Sequence, residues 1–276
     1  MKFCVGIPAI VDDDIISKAV QSHIRNICNV NKEVCYIVNV DGWKYSAEIK
    51  GTLESCEAIY RNIEKAGKEL HFSFGVPAKG LALAYRDIMK KFLTTDADVL
   101  VFFDDDHSII NPLNFEDVPS SFYRDEEVII HFANTYYECS SENPFMSDIL
   151  VENEKIQIRK NKKNFYTQPG TCFSRMQVEK ILENYVVSKP KKVKVMIEGK
   201  EQIVNASPPS SEDIVSGDNF YKSLEVLTVT SKNQREPILS EEGRSSGFVI
   251  PAECHFSCDT RRYVKETGSD YSIADS

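Results

Sequence analysis

Three adjacent aspartates follow an apolar segment directly, and they are the residues of this sequence best suited to chemistry. Residues 99–103 are all hydrophobic and lead into Asp104, Asp105, Asp106 and His107. Carboxylates packed this closely repel one another, so they need a cation or contact with water. Asp104 and Asp106 project to similar sides of an extended chain, and hard oxygen ligands suit Mg²⁺ or Mn²⁺. The sequence predicts a divalent-cation site here; an acidic turn that only caps the next segment is the alternative.

A second candidate is a helix pattern that opens on a glycine. Gly80 can start this helix, and small alanines follow it at positions that allow close packing. Lys79 or Arg86 could meet a phosphate or pair with a strand-end aspartate. An amphipathic helix with solvated charges explains the same pattern without a ligand.

Further polar groups lie late in the chain. Glu212 and Asp213 follow a proline-rich loop, and Asp218 comes shortly after them. These carboxylates could cap a helix or act as a general base toward a hydroxyl group. His255 follows a short apolar segment, where it could bind a metal or a phosphate or be a structural histidine.

Alternating strand and helix patterns position the first two groups. Short apolar runs predict strands at residues 3–7, 34–40, 70–74 and 99–103, and helical spacing predicts helices near 16–27, 53–66 and 81–92 between them. This order predicts a mostly parallel sheet covered by helices, whose carboxyl ends bind the ligand.

The second half of the chain has a less regular pattern. It predicts strands at 128–132 and 227–230, a last strand at 248–250, hairpins at 149–158 and 193–204, helices at 176–185 and 220–224, and a loose polar tail after Arg262. We therefore expect a mixed α+β second half.

Composition narrows the classes of protein. The 276 residues carry 33 basic and 42 acidic side chains, a formal charge of −9, which argues against a general nucleic-acid coat but not against a local basic patch. The eight cysteines form no C-x-x-C pair, so reduced thiols in a reducing cytosol are expected. We find no signal peptide and no apolar run long enough to cross a membrane, and therefore expect a cytoplasmic protein. No G-x-G-x-x-G motif follows a strand, which argues against a Rossmann dehydrogenase.

Taken in order, these motifs resemble the GT-A glycosyltransferases, especially family-2-like members. The resemblance covers roughly residues 3–256 and rests on these segments: Phe3-Cys-Val-Gly-Ile-Pro8-Ala9, Val38-Asn-Val-Asp41-Gly42, Lys79-Gly80 through Arg86-Asp87, Phe103-Asp104-Asp105-Asp106, Gln168-Pro-Gly170-Thr-Cys-Phe-Ser-Arg175 and Phe248-Val-Ile-Pro251-Ala-Glu-Cys-His255. It implies a single GT-A-type domain over 1–276. The nucleotide-sugar half spans about 1–110, the acceptor and catalytic half about 111–262, and a polar tail 263–276.

The resemblance also implies residue roles in moving a sugar from a nucleoside diphosphate to an acceptor hydroxyl, with inversion favoured. The nucleotide-sugar contacts expected are Pro8, Ala9, Asp41, Lys79, Gly80, Arg86, Asp104 and Asp105. Asp104, Asp106 and His255 would hold Mn²⁺ or Mg²⁺. Asp213 is the favoured base, with Glu212 and Asp218 as alternatives, because the expected helix could start at Glu212-Asp213 or at Gly217-Asp218.

The acceptor and the class of protein have alternatives. Two basic clusters could contact an anionic acceptor such as a modified DNA base, or could simply be solvated: Lys155, Arg159, Lys160, Lys162 and Lys163, and Lys189, Lys191, Lys192 and Lys194. A glycan or a small molecule is the other kind of acceptor. A nucleotidyltransferase is the rival enzyme, although no glycine-rich basic loop follows the first strand. A noncatalytic nucleotide-sugar-binding protein is the rival without chemistry.

Overall fold

The structure is a computed structural model of the whole chain. It describes residues 1–10, 13–41, 52–75, 81–133, 146–161, 170–183, 185, 192–197, 200–205, 224–232, 249–251 and 272–273.

The described helices are α1 (Asp13–His23), α2 (Leu53–Lys65), α3 (Leu81–Phe92), α4 (Ser120–Arg124) and α5 (Arg175–Glu183). A π-helical turn (Ile24–Cys28) extends α1, and a 3₁₀ turn (Phe115–Asp117) precedes α4. Among these helices, none combines the length and the apolar character needed to cross a membrane.

The first strands in chain order are β1 (Phe3–Ile10), β2 (Val34–Asp41), β3 (Glu69–Gly75), β4 (Val99–Phe102), β5 (His107–Ile109), β6 (Val128–Phe132) and β7 (Met146–Glu152). They are followed by β8 (Ile156–Asn161), β9 (Thr171–Ser174), β10 (Lys192–Ile197), β11 (Lys200–Asn205), β12 (Glu225–Ser231), β13 (Val249–Pro251) and β14 (Ser272–Ile273).

A nine-stranded mixed sheet organises the chain, in the order β3-β2-β1-β4-β9-β6-β12-β8-β7. The strands β3, β2, β1 and β4 are parallel, as the alternating sequence pattern predicted. Beyond them, β9 runs antiparallel between β4 and β6, and β8 and β7 form an antiparallel hairpin beside β12. The mostly parallel prediction is therefore right for the first half, whereas the complete sheet is mixed.

Side-chain alternation along the strands gives the sheet two apolar faces. One core includes Val5 and Val101, together with residues of α1 and α2. The other includes Cys4 and Leu100, together with residues of α3 and α5. Because successive residues of a strand point to opposite faces, β1, β2 and β4 are buried on both sides, which explains their largely apolar sequences, whereas the edge strand β3 is partly exposed and carries polar residues.

Most of the predicted elements are confirmed within a few residues, two differences stand out, and one predicted helix is not tested. The strands β5 and β9 were not predicted, because each is short and lies in a polar or glycine-containing segment. The strand near residue 250 is not the last, because Ser272 and Ile273 pair with β10 and satisfy part of its backbone. The predicted helix at 220–224 lies outside the described residues except for Leu224.

The cysteines of the described part agree with the expected reduced state. Cys4, Cys28, Cys35, Cys56 and Cys172 are all buried free thiols. Burial raises the pKa of the Cys172 thiol well above its usual range, which keeps it protonated and unreactive.

Gly170 begins the segment that carries β9 between β4 and β6. Its φ of +89° suits glycine, and a Cβ added there would lie 2.4 Å from the carbonyl oxygen of Phe132. Its N–H donates to the Phe102 carbonyl over 2.6 Å, and its carbonyl accepts from the Phe132 N–H over 2.9 Å. Gly170 therefore lets the backbones of β4 and β6 approach β9 closely.

We predict that Gly170→Ala lowers the free energy of unfolding by at least about 3 kcal/mol, because left-handed strain and a backbone clash add together. Gly67→Ala is the matched control, since Gly67 also has a positive φ, +80°, but an added Cβ meets nothing within 4 Å. It should cost only about 1 kcal/mol. Urea unfolding followed by circular dichroism measures both, and equal losses would contradict the proposed role of the close backbone approach.

Candidate functional site

The carboxyl ends of β1 and β4 form the topological switch point of the sheet. From β1 the chain adds β2 and then β3 on one side, and β4 returns to the other side of β1. In open α/β sheets such a point leaves a crevice outside the strand ends, where ligands bind. Asp104, Asp105 and Asp106 follow β4 closely at this edge. The acidic residues found in the sequence thus lie where the fold favours a ligand.

A tight turn gathers the charged groups that follow β4. The His107 N–H donates to the Asp104 carbonyl over 3.2 Å and closes this turn. Ligand atoms of Asp104, Asp106 and His107 all lie within 4.8 Å of one another. We call these three residues the acidic triad. The turn, rather than the extended alternation expected from the sequence, brings the two carboxylates together.

The donor set of the acidic triad fits a divalent cation. Two ligands on opposite sides of such an ion, each at about 2.1–2.5 Å, are separated by roughly 4–5 Å, which the spacing of the triad allows. Two carboxylates with an imidazole suit Mn²⁺, and the carboxylates alone suit Mg²⁺. The His107 side chain is only 2 % exposed, and its Nδ1 lies 2.6 Å from Asp106 Oδ1. His107 can therefore orient Asp106 or, in the other tautomer, offer Nδ1 as a ligand.

Helix α3 contributes a contact that the sequence analysis missed. The Tyr85 hydroxyl donates to Asp104 Oδ1 over 2.8 Å. Burial, with the neighbouring charge of Asp104, raises the pKa of the Tyr85 phenol well above its usual range. The helical spacing placed Tyr85 on the apolar face of α3. Its hydroxyl group, which needs a hydrogen-bond partner when buried, was the one sequence signal for a contact with a strand-end carboxylate.

The middle aspartate of the turn influences a different helix. Burial, and then the charge of Asp105, raises the pKa of the Cys56 thiol to about 12 and that of the Tyr60 phenol well above its usual range. Both residues belong to α2, on the opposite face of the sheet from Tyr85. The charge of Asp105 thus influences buried groups of α2, and Asp105 is not one of the three residues of the triad.

A buried histidine packs beneath the turn. The His23 ring lies edge-on to Phe103, with ring centroids 5.3 Å apart, and its Nδ1 is 3.4 Å from the Tyr36 hydroxyl. Burial, with a contribution from His107, lowers the pKa of His23 to about 3. His23 is therefore neutral at ordinary pH and adds no positive charge under the acidic turn.

Four other residues predicted to contact the nucleotide sugar lie within the described part of the chain. Pro8 and Ala9 are buried near the carboxyl end of β1, and Asp41 ends β2 in register with Ile10 and Gly75. Arg86 lies on α3, with its Nε 3.8 Å from Asp87 Oδ1. The hydrogen bond from α3 to the triad comes from Tyr85, the residue before it.

Several predicted site residues lie outside the described part: Lys79, Gly80, Glu212, Asp213, Asp218 and His255. The predicted metal ligand His255 follows β13, which pairs antiparallel with β5 so that Pro251 is opposite His107. The chain that leads to His255 thus starts beside the triad, and its role as a ligand stays a prediction.

The described part of the first basic cluster is largely paired with acidic residues. Lys155 Nζ lies 2.9 Å from Asp117 Oδ1, and Lys160 pairs with Glu225. Arg159 Nε donates to the Gln157 side chain over 2.7 Å. These contacts reduce the positive charge that this segment offers to a phosphate. Lys162, Lys163, Lys189 and Lys191 lie outside the described residues, and the side chains of Lys192 and Lys194 are not described.

Comparison with known proteins finds similarity at the level of structure. No protein family and no curated protein matches the sequence. The fold is similar to that of S. aureus TarS, a glycosyltransferase, with a TM-score of 0.51 and 15 % identity over 96 % of this chain and 39 % of the other. A structure of TarS 1-349 gives a TM-score of 0.50 and 14 % identity over 96 % of this chain and 65 % of the other.

The chain therefore spans less than two thirds of the length of either TarS structure. At these identities the similarity concerns the fold alone. The chain has a mixed α/β fold similar to that of the TarS glycosyltransferase.

We predict that Asp106→Asn weakens Mn²⁺ binding at least about 100-fold. Loss of a residue that only hydrogen-bonds to a metal ligand already costs about 10–100-fold, and this change removes the charge of a proposed ligand itself. The electron paramagnetic resonance signal of free Mn²⁺ measures the affinity without any nucleotide. Asp96→Asn is the control, since Asp96 is an exposed carboxylate that pairs with Lys2 over 2.5 Å, away from the triad. Unchanged affinity in Asp106→Asn would remove the triad as the cation site.

Proposed function

We propose that this protein is a glycosyltransferase that moves a sugar from a nucleoside diphosphate sugar to an acceptor hydroxyl, and that it binds Mn²⁺ or Mg²⁺ at Asp104 and Asp106. The observation that carries the proposal is the acidic triad at the switch point of the sheet. The fold similarity to TarS supports the class of enzyme. The fold alone is compatible with other chemistry, so the triad is the decisive feature.

The chemistry divides between the two halves of the chain. A divalent cation at the triad would neutralise the charge that develops on the diphosphate as the glycosidic bond breaks. Pro8 and Ala9 lie near the carboxyl end of β1, and Asp41 is the last residue of β2; we propose that they contact the nucleotide. Lys79 and Gly80, which precede α3 in the sequence, Arg86 of α3 and Asp105 of the acidic turn are also proposed to contact the donor.

The general base is proposed to come from the second half. Asp213 would accept the proton of the acceptor hydroxyl, whose oxygen then attacks the anomeric carbon from the face opposite the leaving diphosphate. This sequence of events inverts the anomeric centre. Glu212 and Asp218 are the alternatives for this base.

We predict that one nucleoside diphosphate raises the melting temperature by about 5 °C when it is present at about 100 times its dissociation constant, and only with Mn²⁺. The panel contains the diphosphates of uridine, guanosine, cytidine and adenosine and their sugar conjugates, each with and without Mn²⁺. The base that gives the shift identifies the donor nucleotide.

Asp106→Asn is the control for this panel, and it should lose the shift that the wild-type protein shows with Mn²⁺. Nucleotide binding without release of diphosphate in any product assay would favour a noncatalytic nucleotide-sugar-binding protein. Stabilisation by nucleoside triphosphates with release of pyrophosphate would favour a nucleotidyltransferase. No shift with any nucleotide in a folded sample contradicts the proposed function.

We predict that Asp213→Asn lowers kcat about 10²–10⁴-fold while nucleotide affinity is retained, because it removes a proton acceptor and not a donor contact. Glu212→Gln and Asp218→Asn are the matched variants, and they should lose much less. Stopped assays of nucleoside diphosphate release measure all three. A large loss confined to Asp218→Asn would move the base to that residue.

The acceptor is proposed to be a neutral hydroxyl compound, such as a glycan or a small molecule. The reason is that Lys155 and Lys160 form ion pairs with carboxylates of this chain. Binding of DNA needs lysines whose positive charge is available to neutralise phosphates. A modified DNA base would also have to be flipped out of the duplex to reach the triad. DNA is therefore the second choice of acceptor.

A further inference from the structure

Tyr85 connects helix α3 to the first carboxylate of the acidic triad. Its side chain is buried, yet its hydroxyl reaches the edge of the sheet and donates to Asp104 Oδ1 over 2.8 Å. The residue lies on a helix, whereas Asp104 lies on the turn after β4. Two separate elements of the fold thus meet at one oxygen of a candidate metal ligand.

Packing fixes the position of the Tyr85 ring. The ring stands edge-on to Phe102, with centroids 4.9 Å apart and planes at 90°. Phe102 is the last residue of β4, two residues before Asp104. The strand that leads into Asp104 therefore also packs against the ring whose hydroxyl contacts Asp104, so both groups are supported by β4.

The hydrogen bond restricts the orientation of the Asp104 carboxylate. With Oδ1 engaged by Tyr85, Oδ2 lies on the side of His107, 3.9 Å from its Nδ1. His107 Nδ1 in turn lies 2.6 Å from Asp106 Oδ1. A carboxylate whose rotation is restricted in this way loses less entropy when it coordinates an ion, and such outer hydrogen bonds commonly tune metal sites.

We propose that Tyr85 is a positioning residue of the cation site: its hydroxyl sets the orientation of Asp104 for the ion and does not contact the ion itself. This inference rests on the cation site of the proposed function. It assigns to α3 a role in metal binding that is separate from the predicted phosphate contacts of Lys79, Gly80 and Arg86.

The test is the affinity of Tyr85→Phe for Mn²⁺ alone, measured from the paramagnetic resonance of free Mn²⁺. Phenylalanine keeps the ring against Phe102 and removes only the hydroxyl, so we expect a folded protein with an affinity about 10–100-fold lower. Tyr123→Phe is the matched control. Its buried hydroxyl donates to the Phe115 carbonyl over 3.0 Å, so the variant loses a comparable hydrogen bond away from the triad and should keep the wild-type affinity.

A double-mutant cycle with Asp104→Ala, which removes the acceptor of the Tyr85 hydrogen bond, separates positioning from general loosening of the fold. If Tyr85 acts through Asp104, Tyr85→Phe should have no further effect on Mn²⁺ affinity in the Asp104→Ala background. Equal losses in both backgrounds, or equal losses in Tyr85→Phe and Tyr123→Phe, would overturn the inference. Wild-type affinity in Tyr85→Phe would overturn it while the cation site stands, whereas a wild-type protein that binds no Mn²⁺ would overturn both.

Discussion

Repulsion between three consecutive carboxylates is the constraint on which the candidate site depends. The fold resolves it by giving the carboxylates different surroundings. Asp104 accepts a hydrogen bond from Tyr85 of α3, and Asp106 lies 2.6 Å from the His107 ring. The charge of Asp105 adds to burial in raising the pKa of Cys56 and Tyr60 of α2. Asp104 and Asp106 lie close enough together to share a cation. A site built in this way has an affinity for positive charge before any substrate arrives.

Such a turn needs fixed support on both sides, and the sheet provides it. The end of β4 is held by a bond from the Phe103 N–H to the Gly6 carbonyl over 3.0 Å and by one from the Gly170 N–H over 2.6 Å. After the turn, β5 is bound to α1, because Ser22 Oγ accepts from the Ile109 N–H over 2.9 Å. The backbone is therefore anchored before and after the aspartates. The sheet therefore supports the turn that gathers the triad at both of its ends, as precise sites require.

The sequence predicted the parallel half of the fold and the position of the triad, because both follow from local pattern. Continuous apolar strands alternating with amphipathic helices predict parallel strands, and aspartates directly after one of them must lie at the carboxyl edge. The contact of Tyr85 with Asp104 could not be predicted, since a buried tyrosine on an apolar helix face resembles any core residue. Strand β9 was missed because its four residues derive their structure from pairing with neighbours distant in the sequence. His107 was noted beside the aspartates but was not predicted as a ligand, because the turn that brings it to Asp106 depends on tertiary contacts.

The central claim is that the acidic triad binds a divalent cation at the switch point of the sheet. Anomalous diffraction from a crystal grown with Mn²⁺ tests it most directly, because it locates the ion without any assumption about substrate. The account predicts one strong peak at about 2.0–2.4 Å from carboxylate oxygens of both Asp104 and Asp106. A protein with no peak at the triad, or with Mn²⁺ bound only elsewhere, would contradict the account.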